Sequence, residues 1–321
     1  MAVLALDLGG TKLAAALVSA TGELRCREAT PLAGRTGPAV GALIRARVAD
    51  LLSAASAGGD PVVALGASVP GIARAARGTV WAPNIGGWED YPLRDELRAA
   101  VGRGVAVSID SDRACSILGE AWLGAARGCR DAIFLAVGTG IGAGILCDGR
   151  VLRGRSDIAG AIGWLALDRP FRPEYGPLGC FEYHASGEGL ARVARDLLAE
   201  SKEYQGPLRL PDVAALTAHD VFAAYEAGDA LAERVIENAI GLWGMAVANL
   251  VSLFNPERVI LGGGVFGPAV RFIARIREEA RRWAQPISIE EVVVEPSRLG
   301  PDAALYGAAR LALQAAGGSP S

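Results

Sequence analysis

Apolar residues at the start of the chain form two short runs separated by a polar turn. The stretch from Val3 to Val18 reads VLALDLGGTKLAAALV. Each run has the length of a strand, so the pattern predicts a β-hairpin. Its turn, residues 7–12, places a carboxylate, two glycines, a hydroxyl and an ammonium group within six residues.

The groups in this turn suit an anion such as a nucleotide phosphate. Glycine has no Cβ and lets backbone N–H groups approach an anion closely, while Thr11 and Lys12 can donate hydrogen bonds to phosphate oxygens. Asp7 can hold a hydrated magnesium ion. An ordinary β-hairpin with a glycine-rich turn is the alternative interpretation.

A second segment of the same kind begins about 130 residues later. From Ile133 the chain reads IFLAVGTGIGAGIL, with its glycine turn at 138–142. A further reversal follows each hairpin, at 21–23 and at 148–150. The repeat is too long for a solenoid, and it predicts two related halves facing each other across a cleft, each offering one glycine-rich hairpin to the same polyphosphate.

Most of the remaining chain alternates helical patterns with apolar runs of strand length, as in a sheet covered by helices. The predicted helices are 37–57, 94–101, 113–123, 188–200, 219–227, 229–254, 268–284 and 302–316, and further strands are predicted at 62–67, 105–109 and 259–261. The segment 153–188 has little periodicity. Its five aromatic residues favour an ordered, functional loop over disorder.

Two segments carry polar groups in positions where a ligand can bind. The loop 81–88, WAPNIGGW, contains the amide of Asn84, and it is either a substrate-facing loop or a packed turn with a capping asparagine. Residues 110–112, Asp-Ser-Asp, end a predicted strand and open a helix, where open α/β sheets bind ligands. Asp112 is therefore either an N-cap or a general base for a substrate hydroxyl.

Length, charge and cysteine content argue against several classes of protein. The 321 residues are enough for two domains, and a net charge of −3 without a basic block disfavours a nucleic-acid partner. The start, MAVLAL, lacks the positive region of a secretory signal, and no apolar run approaches the ~20 residues that span a bilayer. We therefore expect a cytoplasmic protein with no membrane partner. Five scattered cysteines predict free thiols.

Nine motifs along nearly the whole chain resemble those of the ROK family of sugar kinases, which also includes bacterial glucokinases, fructokinases and sugar-responsive repressors. They are DLGGTK at 7–12, ASVPG at 67–71, APNIGGW at 82–88, the Asp112 region through Glu120, GTGIGAG at 138–144, AGAIGW at 159–164, GCFE at 179–182, NPERVILGGGV at 255–265 and YGAARLA at 306–312. The resemblance implies an α/β protein with the two-domain actin-like and hexokinase-like ATPase fold, made of ribonuclease-H-like duplicated halves around an interdomain cleft. We expect residues 1–115 and 302–321 to form a small N-terminal domain, completed by the C-terminal helix, and residues 116–301 to form a large one.

The resemblance also implies an ATP-dependent kinase and gives roles to individual residues. Asp112 falls on the catalytic aspartate of the family. The residues that would bind ATP and its phosphates are Asp7, Gly9, Gly10, Thr11, Lys12, Gly138, Thr139 and Gly140, with Gly262, Gly263 and Gly264 beside the adenosine. The residues that would bind the substrate are Gly71, Asn84, Ser111, Asp112 and Glu182. Asp7 would also hold Mg²⁺ through a water molecule.

The chain departs from the family pattern near the sugar and at the zinc loop. Ala161 stands where the family usually has a sugar-binding Glu, and Trp164 where it has a His shared by the sugar site and a structural zinc. Cys180 is the one thiol left of the three in the family's CxCGxxGC loop. A structural zinc needs four N or S ligands, so we expect no zinc here. Packing of Trp164, Tyr175 and Phe181 is predicted to stabilise the loop instead.

The predicted reaction is transfer of the γ-phosphoryl group of ATP to a primary hydroxyl of a hexose or sugar-like polyol, with Asp112 as general base. The changes at 161 and 164 remove polar partners from one side of the substrate. A carbocyclic sugar analogue such as a C7-cyclitol, or another modified sugar, is therefore the alternative acceptor. Ser111 and Ala114 also replace two asparagines that are common in the family.

Two interpretations without kinase activity compete with this one. A catalytically silent sugar-binding regulator fits the missing sugar and zinc residues, although Asp7, Lys12 and Asp112 are retained. A repressor is disfavoured because the first phosphate strand begins at Val3, which leaves no room for a helix-turn-helix before it. A homodimer is expected because relatives often dimerise.

Overall fold

The computed structural model describes residues 1–317, which group into two compact units. The first unit contains Met1–Arg130, Gly144–Ala159 and the segment that begins at Arg298, and the second contains Asp131–Ala143 and Gly160–Ser297. The predicted domain boundaries at 115/116 and 301/302 stay a prediction. Residues 318–321 of the predicted small domain lie outside the described residues.

Strands and helices alternate along most of the chain. The strands are β1 (Ala2–Leu8), β2 (Lys12–Ser19), β3 (Leu24–Pro31), β4 (Val62–Val69), β5 (Ile72–Arg74), β6 (Thr79–Trp81), β7 (Ala106–Ser111), β8 (Ala132–Val137), β9 (Ile141–Cys147), β10 (Arg150–Val151), β11 (Arg258–Gly262) and β12 (Val293–Pro296). The helices are α1 (Gly37–Ala57), α2 (Leu93–Val101), α3 (Asp112–Leu123), α4 (Tyr175–Leu178), α5 (Cys180–Ala185), α6 (Gly187–Glu200), α7 (Ala218–Glu226), α8 (Ala230–Phe254), α9 (Ile273–Trp283), α10 (Pro286–Glu291) and α11 (Ala303–Ala316).

Two sheets have the same strand order. The first is β3-β2-β1-β4-β7 and the second is β10-β9-β8-β11-β12. In each sheet the first strand along the chain lies between its hairpin neighbour and a parallel strand. This repeat confirms the predicted α/β architecture of duplicated halves.

Both faces of β1, in the middle of the first sheet, are buried. On β1, Leu4 and Leu6 belong to one apolar core with the buried residues of α1, whereas Val3 and Ala5 belong to a second core with α11. Alternate residues of a strand point to opposite faces, so both sets must be apolar. This explains why β1 is a continuous apolar run up to Asp7.

Glycines let α3 and α11 pack closely in the first unit. A Cβ at Gly307 of α11 would lie 1.6 Å from the carbonyl oxygen of Cys115 in α3. A Cβ at Gly119 of α3 would lie 2.2 Å from the carbonyl oxygen of Ala303. The backbones therefore touch at these two points, and this contact fixes the helix that begins at Asp112.

Gly307→Ala is expected to lower the free energy of unfolding by about 1–3 kcal/mol, as overpacking does, although Ala is the better helix former. Gly241→Ala in α8 is the matched control, because a Cβ there meets no atom within 4 Å. The control is expected to stabilise by up to about 1 kcal/mol. Urea unfolding of both variants checks this, and equal effects would contradict the packing argument.

Helix α8 lies in the core of the second unit. Trp243 is fully buried, and its Nε1–H donates to the carbonyl oxygen of Ala185 at 3.0 Å. Among the described residues α8 is the one helix long and apolar enough to span a membrane, but 67% of its apolar stretch is buried inside the protein. Its composition is therefore explained by the core. The helix ends where Asn255 adopts the left-handed conformation before Pro256.

The segment 153–188 is ordered and contains short helices. Besides α4 and α5, residues Ile162–Trp164 form a turn of 3-10 helix. Tyr175 and Phe181 are buried, as predicted, but Trp164 is 54% exposed. The predicted packing of Trp164 is therefore wrong. Its indole N–H reaches the carbonyl oxygen of Gly176 at 3.4 Å, which leaves the ring at the surface.

Candidate functional site

The turn between β1 and β2 is a tight reversal with exposed residues. The N–H of Gly9 donates to the carbonyl oxygen of Lys12 at 2.9 Å, and Gly10, Thr11 and Lys12 are exposed. A Cβ at Gly10 would lie 2.8 Å from Nδ2 of Asn84, so the loop 82–88 closely approaches the turn. The structure thus brings together the predicted phosphate turn and one predicted substrate residue.

Asp7 lies at the end of β1 beside Ser68 of β4. The parallel register pairs these two residues, and Oγ of Ser68 donates to Oδ1 of Asp7 at 2.7 Å. Burial raises the pKa of Asp7 to about 6, against the Ser68 hydrogen bond, and the charge of Asp112 raises it further. Sequence reasoning missed Ser68, although its place at the carboxyl end of a buried strand was an available signal.

Ser111, and not Asp112, is the N-cap of α3. Oγ of Ser111 accepts from the N–H of Ala114 at 3.3 Å, so the capping role considered for Asp112 belongs to its neighbour. Asp112 is the first residue of the helix, and its Oδ1 accepts from the N–H of Arg113 at 2.8 Å. Burial raises the pKa of Asp112, against the charge of Arg113. A carboxylate with a raised pKa is a better proton acceptor than an ordinary one.

A partly buried ion pair fixes the junction of β7 and α3. Oδ2 of Asp110 accepts from Nε and Nη2 of Arg153 at 3.0 and 2.7 Å, and Oδ1 accepts from the N–H of Ser111 at 2.8 Å. Burial raises the pKa of Asp110, and the charge of Arg153 opposes this shift. The pair holds the backbone next to Asp112. It was missed because Arg153 is 43 residues away in sequence.

Two other predicted substrate residues have clear backbone roles. Gly71 has a φ of +80°, and a Cβ there would lie 2.2 Å from the carbonyl oxygen of Trp81. Its own carbonyl oxygen accepts from Nη2 of Arg113 at 3.2 Å. The side chain of Ser111 is buried and used as the cap of α3. Their contacts with a substrate stay a prediction.

In the second unit, Glu182 lies against the glycine turn that follows β8. The N–H of Gly138 donates to the carbonyl oxygen of Gly140 at 2.9 Å, and Thr139 at the tip is exposed. Oε2 of Glu182 accepts from the N–H of Ile141 at 2.7 Å, and a Cβ at Gly140 would lie 2.8 Å from the same oxygen. Burial raises the pKa of Glu182, against the Ile141 hydrogen bond.

The three glycines after β11 differ in their surroundings. A Cβ at Gly262 would lie 2.3 Å from the ring of Phe134, and a Cβ at Gly263 would lie 2.4 Å from the carbonyl oxygen of Val137. Packing alone therefore requires glycine at both positions. A Cβ at Gly264 would meet open space. Their place beside an adenosine stays a prediction.

Asp7 is the predicted magnesium ligand in the first unit. No cluster of three or more His, Cys, Asp and Glu side chains is arranged to hold a metal within residues 1–317. Magnesium needs no such cluster, because it usually keeps several waters and binds one or two carboxylates together with substrate phosphates. Asp7, a carboxylate near the end of β1 and just before the exposed turn, fits that requirement.

The model of the ROK family matches residues 3–315. The chain belongs to the ROK family. Over 315 residues it is 33% identical to a glucokinase from Halalkalibacterium halodurans, with 96% of this chain and 94% of the relative covered.

Solved structures of ROK proteins have the same fold. The chain is similar to a ROK family glucokinase from Streptomyces griseus in complex with glucose and AMPPNP, with a TM-score of 0.79, 29% identity and coverage of 98% of this chain and 100% of that one. A ROK hexokinase from Thermus thermophilus has a TM-score of 0.79 and 31% identity, with 99% and 100% covered. The resemblance to the ROK family and the predicted fold class are thereby confirmed.

Proposed function

We propose that this chain, an ATP-dependent sugar kinase of the ROK family, phosphorylates a primary hydroxyl of a hexose as a glucokinase does. One observation carries the proposal. At the carboxyl ends of β1, β4 and β7, the first unit holds a glycine turn next to Asn84 and two carboxylates, Asp7 and Asp112, whose pKa values are raised by burial.

Asp112 is the proposed general base. It accepts the proton of the acceptor hydroxyl as that oxygen attacks the γ-phosphorus and the bond to the β,γ-bridging oxygen breaks, leaving ADP. The transition state is loose, so the protein mainly positions the reactants and stabilises charge. The N-cap at Ser111 and the Asp110–Arg153 pair hold Asp112 for this role.

Backbone N–H groups and two side chains are the proposed phosphate ligands. In the first unit these are the amides of residues 9–12, the hydroxyl of Thr11 and the ammonium group of Lys12. In the second unit the amides of residues 138–140 have the same role, and Gly262–Gly264 border the adenosine. Asp7 would hold Mg²⁺ through a water molecule, and this ion, when bound with ATP, supplies positive charge to the phosphate oxygens.

Asn84 and Glu182 are the proposed ligands of acceptor hydroxyls, with Gly71 and Ser111 as further contacts. The acceptor that we favour is a hexose. A carbocyclic analogue such as a C7-cyclitol, or another modified sugar, is the second candidate. Gly163 packs against Glu182, since a Cβ at Gly163 would lie 2.9 Å from Oε2 of Glu182. The next residue, Trp164, has an exposed indole. An indole offers an apolar face where a histidine would offer a hydrogen bond.

A panel of acceptors assayed for ADP release with MgATP tests the proposal. We expect turnover with at least one of glucose, mannose, fructose and N-acetylglucosamine, and none with 6-deoxyglucose, which lacks the primary hydroxyl. Faster turnover with a cyclitol than with every hexose would favour the second candidate. Lack of turnover with every acceptor would contradict the proposal and favour a silent regulator.

We also propose a cytoplasmic homodimer without nucleic-acid or membrane partners, as expected for a kinase of small sugars. Light scattering coupled to size exclusion should give the mass of two chains. A monomer at micromolar concentration would contradict the proposed homodimer and leave the proposed kinase activity untouched.

A further inference from the structure

A hydrogen-bonded network that includes two buried side chains and the half-buried Asp168 joins the loop after Trp164 to α5 in the second unit. The hydroxyl oxygen of Tyr175 lies 2.7 Å from Nε2 of His184 and 3.1 Å from Oδ2 of Asp168. Nε2 of His184 is also 3.5 Å from Oδ2 of Asp168. Tyr175 is 3% and His184 8% exposed. Polar groups at this depth stabilise a single arrangement when all are paired.

The donors in this network can be assigned. An ionised carboxylate only accepts, so Tyr175 donates its O–H to Asp168, and His184 donates its Nε2–H to the oxygen of Tyr175. Burial raises the pKa of Tyr175 to about 12, and burial lowers the pKa of His184, against the charge of Asp168. Both shifts favour the neutral forms of these side chains. His184 on α5 thus donates to Tyr175, and Tyr175 donates to Asp168 in the loop.

Aromatic rings and an arginine surround the network. The ring centroid of Tyr175 lies 5.3 Å from that of Tyr183 and 5.5 Å from that of His184, both in edge-to-face geometry. The guanidinium carbon of Arg192 in α6 lies 4.6 Å from the ring centroid of Tyr183, and its Nη1 donates to the carbonyl oxygen of Tyr183 at 2.8 Å. Helix α5 is therefore held by the loop on one side and by α6 on another.

Glu182 lies on α5, two residues before His184. A helix of six residues is too short to be stable alone, so its position depends on what it packs against. Its C-terminal end is fixed to α8 by the hydrogen bond from Trp243 to Ala185. The Tyr175 network is a further attachment, at His184, and Glu182 itself accepts from the Ile141 N–H at 2.7 Å.

We propose that Asp168, Tyr175 and His184 are positioning residues that hold Glu182 where it binds the phosphoryl acceptor. This inference rests on the proposed function, since the role of Glu182 does. Within residues 1–317, neither Asp168 nor Tyr175 is hydrogen-bonded to Glu182, and His184 joins them to the helix that carries it. Their loss therefore changes binding of the acceptor, and the phosphoryl transfer itself needs no group from them.

Tyr175→Phe is the direct test, because it keeps the ring and removes only the hydroxyl. We expect KM for the acceptor to rise about tenfold, kcat to change by less than about threefold, and KM for ATP to stay unchanged. Tyr183→Phe is the matched control on the neighbouring ring and should leave all three constants unchanged. His184→Gln retains an N–H donor and should keep more acceptor affinity than His184→Leu.

Hydrogen exchange at the Ile141 amide gives a readout that does not depend on catalysis. Exchange should be faster in Tyr175→Phe than in the wild type and unchanged in Tyr183→Phe. A lower melting temperature of Tyr175→Phe, with unchanged Ile141 exchange and acceptor KM, would overturn the proposal. Faster exchange in a protein that phosphorylates no acceptor would support the positioning of Glu182 and contradict the proposed function instead.

Discussion

Replacing Asp112 with asparagine is expected to lower kcat by about 10²- to 10⁴-fold, the usual contribution of a general base, while KM for ATP changes little. Asparagine keeps the shape of the side chain and can still accept from the N–H of Arg113, which donates to Asp112 at 2.8 Å. The amide cannot take a proton from the acceptor hydroxyl. Steady-state kinetics with the best acceptor of the panel measures the effect.

Asp95→Asn is the matched control for this substitution. Asp95 lies in the first turn of α2 and is exposed, and its substitution removes the same negative charge. Its kinetic constants should equal those of the wild type. A kcat for Asp112→Asn within about threefold of the control would remove Asp112 from its proposed role.

Asp7→Asn is expected to raise the Mg²⁺ concentration needed for half-maximal activity by about 10- to 100-fold, as loss of an outer ligand does. Asparagine can still accept the hydrogen bond from Ser68, so the local structure should be kept. The same titration on Asp95→Asn gives the control. An unchanged Mg²⁺ requirement would contradict the magnesium role of Asp7.

Asp7→Asn should also be more stable than the wild type at high pH. The pKa of Asp7 is raised from 3.8 to about 6, so the folded state holds this proton more tightly than the unfolded state does. Ionised Asp7 therefore destabilises the fold above pH 6, by about 1–3 kcal/mol. The gain from Asp7→Asn should be largest at pH 8 and shrink towards pH 4. Urea unfolding at both pH values checks this, and a pH-independent loss of stability would contradict it.

The regular parts of the fold are predictable because their signals are local. Helix α1 begins and ends where it was predicted, since Pro38 and Gly58 mark its two ends. Helix α8 was predicted within one residue at its start from its apolar periodicity. The two glycine hairpins indicated the duplicated halves, and the strand orders agree.

The missed elements lack such signals. Strand β3, LRCREATP, is mostly exposed and charged, so it has no apolar run to mark it. Strand β12 has four residues and ends in proline. The predicted helix 268–284 begins as 3-10 helix over Pro268–Phe272, and α9 starts only at Ile273.

Those parts of the site that lie within one short motif, such as the turn at 7–12, were predictable from the sequence. The site was not predictable where two distant residues meet. Ser68 reaches Asp7 across 61 residues, and Arg153 reaches Asp110 across 43. Trp164 was expected to pack because aromatic residues usually do, but its side chain is exposed, whereas Tyr175 and His184 are buried and hydrogen-bonded to each other.

Phosphorus NMR of the product formed from MgATP and the best acceptor tests the central claim most directly. The claim predicts a phosphate monoester whose phosphorus couples to the two protons of a CH₂ group, formed by the wild type and nearly absent with Asp112→Asn. A phosphate on a ring carbon, or no phosphorylated acceptor from a wild-type protein that binds ATP, would contradict it.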